Sequence, residues 1–195
     1  MLLSIMHDED VQRVVMIADR HFNTFWPQLY GDYRENLQRL TEWRPSLRRI
    51  YPTSAFAASS INLGPRTVSH RHYDFANLAW GLCAITAFGN YDPDKGGHLV
   101  LWELKLVVRF PPGTTIIIPS AMVMHSNTPI QDGERRYSIA QYNSSGLFRF
   151  VDNGFMTDAA WDKQASNAAK DQRAEERKAR WKRGLGRLSN RSDLM

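Results

Sequence analysis

With 195 residues, the chain is long enough for one domain with a sizeable core and short for two, and its 43% hydrophobic and 11% aromatic residues exclude intrinsic disorder. The formal net charge of +5 belongs to residues 162–195, which hold ten Lys or Arg and five Asp or Glu, whereas residues 1–161 hold fifteen of each. The one cysteine, Cys83, excludes internal disulfides and a cysteine-based zinc cluster, and it favours a reducing, intracellular setting.

The first part of the chain, residues 1–50, is predicted to be helical. Its start, "MLLSIMHDEDV", lacks a basic segment and soon turns acidic, so we expect no signal peptide. Apolar residues recur at helical spacing from Val11 to Phe22, behind an acidic cluster that suits a helix N-terminus. Pro27 interrupts the pattern, and a second helix continues until Pro45 ends it.

The middle of the chain is predicted to be a β-sandwich or barrel. From "AFAASSINLG" to "RRYSIAQYNS" it consists of short β-rich runs separated by Gly, Pro and Asp. The runs are "GLCAITAFG", "HLVLWEL", "LVVRF", "TIIIPS", "MVMHSN" and "YSIAQY". We therefore predict an α+β fold, in which a double-stranded β-helix (jelly-roll) carries the N-terminal helices on one sheet. No apolar run reaches the ~20 residues that a membrane-spanning helix needs.

The end of the chain is predicted to be a basic helix that runs to about residue 183. We accordingly divide the chain into one jelly-roll domain, residues 1–161, and a basic helical tail, residues 162–195. Such a charge run is typical of a solvated helix, and also of a contact with nucleic acid. If the tail instead packs on the jelly-roll, Trp161 and Trp181 are its candidate anchors.

The stretch "SHRHYD", residues 69–74, holds two metal-ligand spacings at once. His70 and His72 form an HxH pair, as in cupin enzymes, while His72 and Asp74 form an HxD pair, as in iron- and 2-oxoglutarate-dependent oxygenases. A cupin motif needs a Glu soon after the HxH pair, and none occurs between His72 and His98. It also needs a Gly shortly before the last His, and "PSAMVMH" has none. The pair is therefore His72 and Asp74.

A lone HxD pair is a weak signal, but two later residues support it. His125, in "MVMHSNTPI", completes the two-His, one-carboxylate triad of non-haem Fe(II) oxygenases. Arg136 opens the next strand as "RYS". When 2-oxoglutarate chelates iron, its far carboxylate points into the barrel, where an Arg binds it bidentately and the Ser138 hydroxyl assists. Arg135 is interpreted as a surface residue. His98, which precedes "LVLW", is interpreted either as a hydrogen-bonded barrel residue or as a functional one.

The segment from about residue 60 to residue 155 resembles the TET/JBP oxygenases, in particular the short fungal members. The resemblance rests on "GGHLVLW", "FPPG", "IPSA" and "HSNTPI" together with the HxD pair. Members of this family oxidise the methyl group of 5-methylcytosine, or of thymine, with Fe(II), O2 and 2-oxoglutarate. The resemblance thus implies the same jelly-roll fold and the same cofactors for this chain.

Site roles follow from the resemblance, residue by residue. His72, Asp74 and His125 match the iron ligands, and Arg136 and Ser138 match the 2-oxoglutarate contacts. The resemblance also implies that His98 touches 2-oxoglutarate, that Asn77 hydrogen-bonds the flipped base and that Tyr142 stacks on it. The chain also departs from the family. Vertebrate members carry a Cys-rich zinc domain that has no counterpart in this sequence. At two positions the residues differ: a base-reading histidine of the vertebrate members would fall at Ser144, and Arg109 stands where fungal members carry an acidic residue.

The sequence therefore predicts a nuclear, monomeric Fe(II)/2-oxoglutarate dioxygenase without a membrane contact. Its expected substrate is the methyl group of a modified base in nucleic acid, 5-methylcytosine in DNA. One alternative is the same chemistry on N6-methyladenine, RNA or another substrate. The other is a catalytically silent DNA-binding jelly-roll.

Overall fold

The structure is a computed structural model that describes residues 5–194. Residues 1–4, part of the stretch in which we expect no signal peptide, and residue 195 lie outside it. Helices, then strands, then helices follow each other as predicted. In chain order, the elements of the described part are α1 (Glu9–Phe25), α2 (Pro27–Trp43), β1 (Ala58–Asn62), β2 (Cys83–Asn90), β3 (Leu99–Leu101), β4 (Leu106–Val108), β5 (Thr115–Ile118), β6 (His125–Asn127), β7 (Arg135–Tyr142), α3 (Ser145–Asp152), α4 (Asp158–Gln164), α5 (Asn167–Leu185) and a 3-10 turn (Arg191–Leu194).

The strands form two antiparallel sheets, which confirms the predicted α+β jelly-roll. The larger sheet has the order β1-β7-β2-β5, and the smaller has the order β4-β3-β6. Each of the six predicted β runs contains one strand, and β1 lies in the opening "AFAASSINLG". Successive strand residues point to opposite faces, so each strand contributes to two layers. Part of the layer between the sheets is an apolar cluster, and its buried residues are Ala87, Leu99, Leu101, Phe110 and Ile118.

Helices α1 and α2 pack on the outer face of the larger sheet, as predicted. Phe22 on α1 and Tyr33 on α2 are fully buried, because helical spacing places each side chain on the apolar stripe of its own helix. The Tyr33 hydroxyl accepts a hydrogen bond from the Leu82 N–H (3.0 Å) and donates one to the Leu82 carbonyl (3.2 Å). Phe22 stacks on Phe56 with ring centroids 5.0 Å apart. This layer supports the segment that leads into β2.

The predicted C-terminal basic helix is confirmed as α5, and a separate short helix, α4, precedes it. The two helices are divided at Ala165, whose backbone is extended, and Ser166 starts α5 as its N-cap by accepting from the Ala169 N–H (3.2 Å). A capping serine of this kind stabilises a new helix start by about 1 kcal/mol. The short helix α3 was not predicted, and Ser144 caps it. The division of the chain after residue 161 stays a prediction.

Helix α5 packs against the rest of the protein through a glycine. Gly184 is buried against the Trp80 ring, so closely that a Cβ built there would lie less than 3.0 Å from it. Two ion pairs flank this contact, from Arg187 to Asp32 (3.0 Å) and from Arg180 to Asp152 (3.1 Å). Trp181, a candidate anchor, is 42% exposed, whereas Trp161 is half-buried beneath Arg173. None of the helices in residues 5–194 has the length and apolar character that crossing a membrane requires.

Candidate active site

The two histidines of the predicted triad meet because the "SHRHYD" segment pairs with β6. The His72 N–H donates to the His125 carbonyl (3.1 Å), and the His125 N–H donates to the His72 carbonyl (3.0 Å). The smaller sheet is thereby extended by one antiparallel bridge. The imidazole rings lie side by side, with centroids 4.3 Å apart.

Each imidazole presents its Nε2 atom to the site. The Nδ1 atom of His72 lies 2.7 Å from the His70 carbonyl, and the Nδ1 atom of His125 lies 2.9 Å from the Val123 carbonyl. A carbonyl only accepts, so Nδ1 carries the proton in both rings. Nε2 then carries the free lone pair, which is the arrangement that a carbonyl hydrogen-bonded to Nδ1 imposes on metal-binding histidines.

Asp74 completes a cluster of three possible metal ligands. Its Oδ1 lies 3.5 Å from the His72 Nε2, and its Oδ2 lies 4.0 Å from the His125 Nε2. Two ligands about 2.1 Å from an ion and at right angles lie about 3 Å apart, so small side-chain movements suffice to bind one. Within residues 5–194, these three residues form the one cluster of this kind, and His70, which is exposed, lies outside it. The donor set fits Fe(II).

The surroundings of His125 favour the protonation state that a metal ligand needs. Burial lowers the pKa of His125, and the neighbouring His72 lowers it further, against the Val123 carbonyl and Asp74, which raise it. Neutral imidazole is the form that binds a metal. The Asp74 carboxylate accepts a hydrogen bond from the Asn77 Nδ2 (3.2 Å), which also donates to the Ser120 Oγ (3.2 Å).

The three ligands open into a cavity of about 510 Å³ between the sheets. Strand β7 supplies the opposite wall, because its alternate residues face the cavity. At about 3.4 Å per residue, the first and last of them lie about 20 Å apart along the strand. They are Arg136, Ser138, Ala140 and Tyr142.

Arg136 is a buried cation without an acidic partner. It is 3% exposed, and no ion pair of the described chain includes it. Its Nη1 donates to the Thr67 carbonyl (3.3 Å), but its buried Nε has no acceptor. Burial lowers the pKa of Arg136, and the Tyr91 hydroxyl beside it partly offsets this effect. An unpaired buried charge is costly, so the site favours an anion in the cavity.

Five further residues were singled out from the sequence. Ser138 lines the cavity beside Arg136 and accepts from the Asn62 Nδ2 (2.9 Å). Tyr142 lines it at the other end, with its hydroxyl 3.1 Å from the Ser60 Oγ. Asn77 also lines the cavity.

His98 does not line the cavity, because its ring faces Thr128, with Nδ1 3.2 Å from the hydroxyl. Ser144 is occupied in capping α3, and the 2-oxoglutarate role of His98 stays a prediction.

Several supporting residues were missed by sequence reasoning. The Thr67 carbonyl, Asn62 and Ser120 contact predicted site residues from loops and a neighbouring strand, and no local motif marks them. Phe75 was detectable, since a bulky aromatic directly follows the Asp of the HxD pair, and it is 81% exposed at the cavity rim. Cys83 lines the cavity, and burial raises its pKa to about 12, which keeps the thiol neutral.

Comparisons with known proteins reach only distant likenesses. No family model matches the chain, and no curated protein does. Among solved structures, NgTET1 in complex with 5mC DNA is 17% identical, with a TM-score of 0.46 over 73% of this chain and 55% of that chain, so this chain spans about half its length. The viral collagen prolyl hydroxylase of Paramecium bursaria Chlorella virus-1, in its 2OG complex, is 12% identical (TM-score 0.33; 56% and 69%). An RmlC-like cupin protein of Desulfovibrio desulfuricans is 11% identical (TM-score 0.29; 43% and 71%).

Proposed function

We propose that this protein is an Fe(II)- and 2-oxoglutarate-dependent dioxygenase that oxidises the methyl group of a modified base, 5-methylcytosine in DNA. The observation that carries the proposal is Arg136. This buried cation, which has no carboxylate partner in residues 5–194, lines the same cavity as the His72, Asp74 and His125 cluster. A metal site facing a buried anion site is the pair of features that 2-oxoglutarate requires.

The metal end of the cavity suits iron that keeps positions open for reactants. Two imidazole Nε2 atoms and one carboxylate approach from the side of the smaller sheet, so the β7 side is left for other ligands. Bound Fe(II) supplies the oxidative chemistry, in which O2, 2-oxoglutarate and a methyl group yield succinate, CO2 and a hydroxymethyl group. Carbonyls behind both histidines and Asn77 behind Asp74 orient the ligands.

The anion end of the cavity suits the far carboxylate of 2-oxoglutarate. The Arg136 Nε is a buried donor without an acceptor, and the Ser138 hydroxyl lies two residues along the same face of β7. A carboxylate bound there gains charge-assisted hydrogen bonds and compensates the buried guanidinium. A silent DNA-binding jelly-roll gains nothing from burying an unpaired arginine next to three metal ligands.

The remaining end of the cavity suits a base. Tyr142 offers an aromatic face for stacking. The Asn77 amide directs its nitrogen to Asp74 and Ser120, which leaves its oxygen to accept from an exocyclic amine. Cytosine and adenine carry such an amine, and thymine does not. A methyl group inside a duplex cannot reach the metal, so the base must be flipped out, at a cost of a few kcal/mol. Nuclear localisation and a monomeric state complete the proposal.

The proposal is tested by two measurements on one set of reactions. Succinate release is followed with Fe(II) and 2-oxoglutarate, in the presence and absence of methylated DNA or RNA, and nucleosides from the same reactions are identified by mass spectrometry. We expect methylated DNA to stimulate succinate release and to yield 5-hydroxymethylcytosine, and the Asp74→Ala variant to do neither. Wild-type protein that releases no succinate would refute the oxygenase chemistry. Succinate without an oxidised nucleoside would refute only the substrate.

A further inference from the structure

We propose that a second groove, beside the catalytic cavity, binds the nucleic-acid strand that flanks the target base, and that Phe75 stacks on a neighbouring base. This inference rests on the proposed function and adds the substrate-binding surface to it. The groove, called here the flanking groove, has a volume of about 480 Å³. It is lined by α2, α3, α5 and residues 75–80.

The flanking groove adjoins the catalytic cavity. Phe75 and Asn77 line both, and Phe75 directly follows the metal ligand Asp74. A strand whose base enters the cavity therefore meets the groove with its next nucleotides. The contact of Gly184 with Trp80 closes the groove on one side, which places the basic helix α5 beside the site.

The charges of the flanking groove suit a polyanion. Five arginines and three acidic residues line it. Arg180, Arg187 and Arg149 are occupied by ion pairs with aspartates. Arg39 and Arg183 take part in none of the ion pairs found in the described chain, and both are exposed. Two unpaired guanidinium groups facing one groove are available to phosphates.

A polar atom of the flanking groove also lacks a partner. Asn36 is 5% exposed, and its buried Oδ1 receives no hydrogen bond within residues 5–194. A buried acceptor without a donor is destabilising. Because the Oδ1 is shielded from solvent, a donor on a bound strand reaches it only when the Asn36 side chain turns toward the groove. The exposed cations for the strand backbone therefore carry the proposal.

Phe75 lies at the junction between the two cavities. Its side chain is 81% exposed, and the Tyr73 ring, 5.3 Å away, is its aromatic neighbour. A phenyl ring held in water next to a metal ligand contributes little to the core. Every base has an aromatic face, so stacking on the flanking base would bury the ring without sequence preference. Stacking there would also compensate the neighbouring base for the partner that it loses when the target base flips out.

The experiment measures binding of a fluorescent single-stranded oligonucleotide with one 5-methylcytosine to the full-length protein, over a series of salt concentrations. Affinity decreases with salt, and the slope of log affinity against log salt is therefore negative. In the double variant Arg39→Ala/Arg183→Ala, we expect this slope to become shallower by about 1.4, since each lost phosphate contact on a single strand contributes about 0.7. The matched control Arg20→Ala/Arg48→Ala removes two exposed arginines outside the groove and should keep the slope.

The role of Phe75 is tested with two substitutions. Phe75→Leu keeps an apolar side chain without an aromatic face and should weaken binding by roughly 5- to 150-fold, whereas Phe75→Trp should retain it. Phe25→Leu, at an exposed aromatic on α1, is the control. An unchanged salt slope in the arginine variant would overturn the proposal that the flanking groove binds phosphates. Equal binding by the Leu and Trp variants would overturn the proposal that Phe75 stacks on a base. Both results leave the proposed function standing if wild-type protein still oxidises methylated DNA. Wild-type protein that does not bind the oligonucleotide but oxidises an acidic peptide would refute both.

Discussion

His72 and His125 exchange two backbone hydrogen bonds, and their imidazole rings lie 4.3 Å apart. This pairing brings the two predicted metal-binding side chains together with their Nε2 atoms toward Asp74. Because the backbone bridge is part of the sheet, the ligand geometry is formed before any metal binds. The candidate site is therefore preorganised by the fold.

Metal binding is expected to depend on Asp74 and not on His70. Asp74→Ala removes a ligand from the cluster and should lower iron affinity by more than the ~10–100-fold that is typical when a group hydrogen-bonded to a ligand is lost. His70→Ala should retain iron, since the exposed imidazole lies outside the cluster and only the backbone carbonyl of His70 contacts His72. Iron content after anaerobic reconstitution measures both effects. Iron lost from His70→Ala and kept by Asp74→Ala would show that the HxH pair binds the metal.

Binding of 2-oxoglutarate is expected to depend on Arg136 and not on Arg135. Arg136→Ala leaves the far carboxylate of bound 2-oxoglutarate without its partner, which costs several kcal/mol. The concentration of 2-oxoglutarate required for half-saturation should therefore rise by orders of magnitude. Arg135 is exposed at the start of β7, and Arg135→Ala should have little effect. Titration of 2-oxoglutarate into both variants decides, and similar affinities would contradict the assignment.

Substitutions at Asn77 and Tyr142 are expected to have different effects. Tyr142→Ala should slow turnover of methylated DNA by the equivalent of about 1–3 kcal/mol without loss of iron. Tyr142→Phe keeps the aromatic ring and should turn over methylated DNA at the wild-type rate. Asn77→Ala should in addition lower iron affinity about 10–100-fold, because the Asn77 amide orients the Asp74 carboxylate. Turnover and iron content are measured on the same preparations. Full turnover by both alanine variants would point to a substrate that is not a base.

Acid is expected to destabilise the C-terminal helices through Asp158. Arg149, Asn153 and Arg173 lower the pKa of Asp158, so its ionised form stabilises the folded state at neutral pH. This contribution begins to decline as the pH falls below about 4, the pKa of an unfolded aspartate, and is lost as the pH falls through the lowered pKa of the folded state. The Asp158 side chain is 38% exposed, so Asp158→Asn should cost only about 1 kcal/mol at pH 7, or about 2–4 °C in Tm. Asp171→Asn, at an exposed position, is the control. A difference from wild type that does not shrink between pH 7 and pH 3 would contradict this linkage.

The packing of α5 is expected to depend on the absence of a side chain at residue 184. Gly184→Ala places a methyl group against the Trp80 ring and should destabilise the protein by about 1–3 kcal/mol, although alanine favours helices by about 1 kcal/mol. At Gly186, whose φ is −67°, an added Cβ meets its nearest atom, the Arg183 carbonyl oxygen, only at 3.4 Å, so Gly186→Ala should be neutral. Thermal melts of both variants test this. Equal stabilities would mean that α5 does not pack on Trp80.

Much of the architecture was predictable because it is encoded in local patterns. The stripe from Val11 to Phe22 follows the period of a helix, Pro27 and Pro45 mark helix boundaries, and each short apolar run holds a strand. The C-terminal basic helix was predicted correctly, but its start was not, because the signal that separates it from α4 is one capping serine, Ser166, in a segment otherwise favourable to helix.

The sequence by itself determined the fold class and the order of the chemical groups: an HxD pair, a later histidine and an arginine opening the last strand. Spacing along strands is enough for this, because side chains of a strand alternate strictly between two faces. Only the tertiary structure decided which groups meet. The contact of Asn77 with Ser120, the unpaired burial of Arg136 and the packing of Gly184 on Trp80 depend on segments distant in sequence. Burial and pairing are properties of the assembled fold, so no local pattern records them.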